Sequence, residues 1–370
     1  GTPARMIAVE RSSRHYFQRP DARDVRVDSS ATSLTGYAGR IWLNKQSGAV
    51  MSNTGVGFIS PSFESNDLGL QSRSDVINAH TVLGYQWTQE GRYKRYANVW
   101  GALAGSGDRD GDLTSAALVL GGNTTFRNNW GAWWNLAGSP RATDIRSTRG
   151  GPAMLSRRDA NVNAGFNTDS YRKTFLSTWV LFDRNEAGGS ANNGGFYVEW
   201  KPRSNLLLSA GPWVNFNHAA AQYVTSVADP TATETYGRRY VFAALDQSTI
   251  GADVRLNWTF TPDLSLETYV QPFFSSGKYS GYKSLARPRT YAFDPYAFPG
   301  SANFDFGSLR GNAVVRWEYA PGSTVFLVWT QKRDEFGPAG DFDLHQGVND
   351  LFRARADNVF LVKATYHIGL

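Results

Sequence analysis

Apolar and polar positions alternate with period two along most of the chain, and no stretch carries a sustained helical stripe. From Ile250 to Phe260, the residues Ile250, Ala252, Val254, Leu256, Trp258 and Phe260 alternate with Gly251, Asp253, Arg255, Asn257 and Thr259. Thr261-Pro262-Asp263 then supplies turn chemistry, and Leu264, Leu266, Thr268, Val270 and Pro272 return against Ser265, Glu267, Tyr269 and Gln271. A second hairpin follows the same plan around Ala320-Pro321-Gly322-Ser323. Residues 76–87 alternate likewise, with Ile77, Leu83, Tyr85 and Trp87 on one side and Asn78, His80 and Gln86 on the other.

Further strand-like runs occupy 37–46, 49–60, 92–104, 113–127, 129–138, 157–168, 174–184, 194–202, 205–217 and 357–370, with a weaker one at 4–17. Residues 239–260 read as one long strand, kinked near Asp246. Short turns near 45–48, 88–91, 127–128, 169–173, 203–204, 261–263 and 320–323 alternate with longer polar connections. The long ones lie near 18–34, 61–75, 105–112, 139–156, 185–193, 218–237, 275–307 and 334–356. This pattern predicts an all-β fold: a transmembrane antiparallel up-and-down β-barrel of about 16 strands, one domain over residues 1–370, with short periplasmic turns and long external loops.

Periodicity alone leaves a soluble sandwich open, because it does not say which face points inward. Three features favour the membrane. Aromatics gather at strand ends, as with Trp258 and Phe260, Trp317 and Tyr319, Tyr85 and Trp87, and Trp130 and Trp134. The opposite face carries charges that a sandwich core would have to bury at a cost of several kcal/mol each. At the C-terminus, Phe360, Val362, Ala364, Tyr366, Ile368 and Leu370 alternate to the last residue, as in the terminal strand by which barrels are recognised for assembly, with Leu370 where Phe is usual.

Composition narrows the chemistry. The 370 residues include 12 Trp, 17 Tyr, 22 Phe and 37 Gly but no Cys, which excludes disulfide scaffolds, Cys-ligated zinc, thiol nucleophiles and iron–sulfur centres. No apolar run approaches the roughly 18 residues of a spanning helix. The first residues, with Arg5, Glu10, Arg11 and Arg14, lack the apolar core of a secretory signal. The net charge of +6 is spread among acids rather than gathered in a basic block, so nucleic acid is not an expected partner.

Five strings occur in order: Pro61-Ser-Phe-Glu-Ser-Asn-Asp-Leu-Gly69, Thr148-Arg-Gly-Gly-Pro152, Tyr236-Gly-Arg-Arg-Tyr-Val-Phe242, Thr261-Pro-Asp-Leu-Ser-Leu266 and Arg316-Trp-Glu-Tyr-Ala-Pro-Gly-Ser323. From about Ser13 to the end they resemble the C-terminal region of the bacterial domain-of-unknown-function family 5916. The resemblance implies an outer-membrane barrel, usually preceded by a family-9-type carbohydrate-binding-like domain and often labelled a hydrolase. It supplies no catalytic residues. That accessory domain is absent from this sequence, so the resemblance reads the chain as the C-terminal part of a longer protein.

Candidate chemistry follows from this frame. Asp253, Arg255, Glu267, Arg310, Arg316, Glu318, Lys363, His367 and His80 are expected to line a lumen, where mixed charges would select solutes or simply brace the wall. Glu64, Asn66 and Asp67 on one loop, and Tyr279, Tyr282, Tyr291 and Tyr296 on another, suit sugar hydroxyls and rings, or serve to pack the loops. Asp108, Asp110 and Asp112 have the alternating carboxylates of a calcium loop, but Gly111 comes one place early and Val119 stands where a bidentate Glu belongs. An Asp/Gly-rich turn needs no metal, and calcium is the one cofactor the sequence raises.

The expected function is a pore or surface protein of the bacterial outer membrane that passes or handles a polar solute such as carbohydrate. A barrel-embedded hydrolase using His80 or His367 is the rival, although no Gly-x-Ser-x-Gly elbow supports it. A plugged structural or partner-binding barrel is the third reading. Expected partners are outer-membrane lipid, the barrel assembly machinery, and a polar solute or glycan.

Overall fold

The computed structural model describes residues 1–66, 68–337 and 342–368. Period-two alternation becomes strands β1 (Ala38–Lys45), β2 (Val50–Ile59), β3 (Val76–Trp87), β4 (Lys94–Gly107), β5 (Leu113–Phe126) and β6 (Gly131–Ser139). A small ribbon, β7 (Thr143–Asp144) with β8 (Met154–Leu155), interrupts the series. It resumes with β9 (Asp159–Asn167), β10 (Thr174–Asn185), β11 (Ser190–Arg203), β12 (Leu206–Ala228), β13 (Arg238–Thr261) and β14 (Leu264–Leu285). After the short β15 (Phe293–Pro295) come β16 (Phe304–Ala320), β17 (Ser323–Phe336) and β18 (Asp357–Thr365). Helix α1 (Pro3–Glu10) precedes the sheet and α2 (Leu344–Arg353) lies before the last strand.

Each strand pairs antiparallel with its neighbour in one 16-stranded sheet, in which fifteen strands form a single file from β1 to β18 and β15 joins at the side of β14. Among the described residues the file does not close: β1 pairs only with β2, and β18 only with β17. Every residue of β18 and nearly every residue of β1 is exposed. The expected transmembrane up-and-down barrel is therefore corrected to an open antiparallel sheet. Alternation and turn length fix which strands are neighbours, whereas closure depends on strand number, tilt and stagger together, none of which a local pattern encodes. No described helix is long and apolar enough to cross a membrane.

Other differences have local causes. Residues 4–10, expected as strand, form α1, because the Thr2 hydroxyl accepts the Arg5 N–H at 3.4 Å and Pro3 stands where a helix needs no donor. The long strand at 239–260 is present, and its register breaks between Ala243 and Leu245 against β12 and between Phe242 and Ala244 against β14, close to the kink expected near Asp246. β12 and β14 continue well into stretches expected as loop, since small and polar residues there fall on both faces without a clear alternation.

Paired residues share a face, so register sorts the side chains. One face carries Ile250, Val254, Leu256, Trp258, Trp317, Leu327 and Phe360, and is largely apolar and exposed. Across the other face runs a row formed by Trp133, Gly165, Trp179, Gly195, Trp213, Gly251 and Phe273 on successive strands. The indoles lie over the glycines: an added Cβ would meet the Trp133 ring at 2.5 Å from Gly165 and the Trp213 ring at 2.6 Å from Gly251. The ring covers backbone that a glycine leaves bare.

Buried apolar side chains gather at one end of the sheet, where the long connections meet. Met154, Tyr240, Phe242 and Leu285 form a core cluster, with Tyr223, Tyr291 and Phe293 packed on it. Residues 1–36 pass over the same end as a strap before entering β1.

Candidate functional site

The strap and the long connections bring together most of the chain's buried charge. Glu10 closes α1 and is buried, with its carboxylate accepting the Asp28 N–H at 2.9 Å. His15 follows with its side chain fully covered. Its Nδ1 lies 2.8 Å from the Pro61 carbonyl and 2.9 Å from Ser74 Oγ, while Nε2 faces Glu64 Oε2 at 3.2 Å. A carbonyl only accepts, so Nδ1 carries a proton and the Ser74 hydroxyl is free to turn its own hydrogen to the Arg14 carbonyl, 3.2 Å away. The Ser–His–Glu grouping thus lacks a base aimed at the hydroxyl and acts as a clasp between the strap and the 60–75 connection.

Glu64 is held by several partners at once. Burial alone would raise its carboxyl, but hydrogen bonds from the Asn66 side chain and backbone and from His15, with the charge of Arg14, bring it down to about 2. The Asn66 amide oxygen in turn accepts the Gln71 N–H at 3.0 Å. Glu64 and Asn66, read from the sequence either as sugar contacts or as residues that order their own loop, are hydrogen-bonded within that loop; Asp67 lies outside the described residues.

Deeper in the same end, the Arg19 guanidinium sits between Asp21 at 3.5 Å and Asp108 at 3.9 Å, and all three side chains are almost wholly buried. The three carboxylates of the calcium reading diverge. Asp112 takes Arg289 through two bonds of 2.6 and 2.8 Å, and Asp110 accepts the backbone N–H groups of Arg23 and Asp24. Asp108 accepts the Asp112 N–H at 2.9 Å. Burial pushes the Asp108 carboxyl up, whereas Arg289 holds Asp112 below the usual range. Among the described residues no three His, Cys, Asp or Glu side chains are placed to hold a metal ion.

The charges expected to line a lumen share one sheet face but pair along it. Arg310 reaches Asp334 at 2.6 Å, and Arg316 reaches Glu318 at 2.7 Å. Arg255 lies over the Tyr269 ring at 4.7 Å, and the Tyr269 hydroxyl bonds Asp253. Lys363 stands over Phe326 at 6.0 Å, and Glu267 lies opposite Val314. His80 donates from Nε2 to Asn53 at 2.5 Å and accepts from Arg40 at Nδ1, 3.3 Å away. His367 is not on a strand; its N–H bonds Ser323 Oγ at 3.0 Å beside the turn at Gly322. The tyrosines pack their own connection. Tyr282 stacks on Phe298 at 4.8 Å, Tyr291 meets Phe293 edge-on, and the Tyr296 N–H bonds the Tyr282 carbonyl. Tyr279 lies within β14, where its N–H bonds Asn303.

Sequence reasoning missed the strap. Its one local signal is Thr2-Pro3, a helix start that a strand would not need. Also missed was His218, whose Nδ1 lies 2.6 Å from Asp246 beside a cavity of about 340 Å³ lined by Ser190, Asn192 and Ser248. The two partners belong to different strands, and only register brings them together.

Residues 4–370 match the family described as Domain of unknown function (DUF5916). The chain belongs to this family. None of the curated proteins matches the DUF5916 chain. Among solved structures it is similar to a NanC porin in a rhombohedral crystal form, at 10% identity and a TM-score of 0.24, over 69% of this chain and 94% of that one. Overlap that slight carries no argument about fold or function. The pore expected from the sequence needs a wall that closes, as do the barrel-embedded hydrolase and the plugged barrel. Among the described residues the sheet of the DUF5916 chain is open, so these readings, and with them porin-like transport, are corrected.

Proposed function

We propose that the chain is a lipid-facing sheet of the bacterial outer membrane, whose apolar face meets acyl chains and whose other face and loop-end cap form a rigid polar scaffold at the membrane surface. The observation that carries the reading is the contrast between faces. Phe182, Phe196, Trp200, Val254, Trp317, Leu327 and Phe360 point out from one side with no protein over them, while Asp253, Arg255, Glu267, Arg310, Arg316 and Lys363 lie on the other; the His218–Asp246 pair and the amides of Gln331 and Asn358 are exceptions on the apolar side. Soluble monomers rarely expose contiguous apolar patches beyond a few hundred Å². In hydrocarbon the free backbone groups of β1 and β18 must also be covered by further strands, since unpaired edges do not persist there.

The test is tryptophan quenching in vesicles of brominated phosphatidylcholine. Replacing the apolar-face indoles together, as Trp87→Phe, Trp134→Phe, Trp200→Phe, Trp258→Phe, Trp317→Phe and Trp329→Phe, should remove most of the quenching. Replacing Trp133, Trp179 and Trp213 should remove little. Equal contributions from the two sets, or no quenching at all, would sink the reading.

A further inference from the structure

We propose that residues 3–36 are a releasable strap, latched over the loop end of the sheet by the Arg19–Asp21–Asp108 cluster and able to detach while the strands stay folded. The inference goes beyond the lipid reading and does not depend on which solvent the apolar face meets.

The strap is held almost entirely by polar contacts. Arg23 and Asp24 give their N–H groups to Asp110, Ala153 gives its N–H to Asp21 at 2.8 Å, and Arg146 bonds the Ser13 carbonyl. His15 clasps Pro61 and Glu64 as described. Of the strap's apolar side chains only Phe17 and Ala22 are buried, so little hydrophobic area resists its departure. Contacts to the 60–75, 108–112 and 140–156 connections are all made by side chains or loop backbone, and none belongs to the ladder that joins the strands.

The latch itself is strained electrostatically. Arg19 approaches its two carboxylates only at 3.5 and 3.9 Å, beyond good hydrogen-bond length. Its Nε and Nη2, with Asp21 Oδ1 and Asp108 Oδ2, are buried without a hydrogen-bond partner. Ions taken out of water recover their lost hydration only when geometry is excellent. Burial pushes Asp108 and its neighbour Asp75 upward, which is the same penalty seen from the carboxylate side. Once the strap lifts, all of these groups regain water. The pivot is the approach to β1, where the Ser60 N–H bonds the Tyr37 carbonyl at 2.9 Å and the Tyr37 N–H bonds Ser60 Oγ at 2.8 Å.

Native-state hydrogen exchange on the full chain in detergent micelles reads the opening directly. Amides internal to the strap, those of Phe17 and Arg19, and the Ser74 amide that bonds the Arg14 carbonyl, should exchange at least about tenfold faster than those of β12 and β13. Asp108→Asn removes a counter-charge from buried Arg19 and should speed strap exchange by about a further tenfold with the strands unmoved. One common rate for strap and strands, or a variant that accelerates both alike, would overturn the proposal. Should Asp108→Asn fail to fold, trypsin on the wild-type chain decides. Cleavage after Arg14, whose carbonyl the Ser74 N–H holds and whose neighbour His15 is fully covered, while every strand stays whole supports a detachable strap, and cleavage there only together with the strands refutes it.

Discussion

At the loop end, Phe242 is sealed among Met154, Tyr240 and Leu285, whereas farther along the same sheet Leu327, Trp329 and Phe360 face outward with nothing above them. The same alternating strands run through both regions. At one end the chain folds its own connections over the apolar residues; along the strands it leaves them for another solvent to cover. Stability of the cap therefore rests on packing, and that of the strand region on the ladder of backbone bonds plus whatever meets its apolar face.

The strongest way to break the contrast is to delete matched side chains. Phe242→Ala, at 1% exposure, should cost about 3–5 kcal/mol in urea unfolding of detergent-solubilised protein. Phe360→Ala, at 76% exposure, should stay within about 0.5 kcal/mol. A loss of similar size at both would dissolve the distinction. Next in size is Gly251→Ala, whose new methyl would press on the Trp213 indole at 2.6 Å, and a loss of about 1–3 kcal/mol is expected, with a change in tryptophan fluorescence.

A pH titration sharpens the comparison further. Glu64 has a carboxyl lowered to about 2 from an ordinary 4.5, so its contribution is complete above the ordinary value and is lost as pH falls through the lowered one. Melting of the cap should fall between those limits, and Glu64→Gln should remove that dependence from thermal scans while leaving strand melting in place. The smallest effect is reserved for exposed pairs such as Arg95–Glu90, at 3.7 Å: Arg95→Ala should shift stability by less than about 1 kcal/mol, and less still in high salt.

Much of the sheet was legible because its signals are local. Thr261-Pro262-Asp263 and Ala320-Pro321-Gly322-Ser323 do turn the chain, and the polar residues Asp253, Arg255, Arg310, Arg316 and Lys363 do share one face. What was hidden is whatever depends on distant partners. Arg19 meets Asp108 only because the chain returns over the loop end, and Asp112 is taken by Arg289 from a connection much later in sequence. His218 finds Asp246 by register alone. The upper parts of β12 and β14 escaped notice because their residues are polar or small on both faces, which removes the period that marks a strand.

The single file of strands carries a parity. Direction reverses at every step, and the file holds fifteen strands, so β1 and β18 point the same way, both running from the loop end toward the short turns. Two edges of like sense are not antiparallel complements. Whatever spans the interval between them while keeping the antiparallel pattern must contribute an odd number of strands, the first of which begins where β18 finishes.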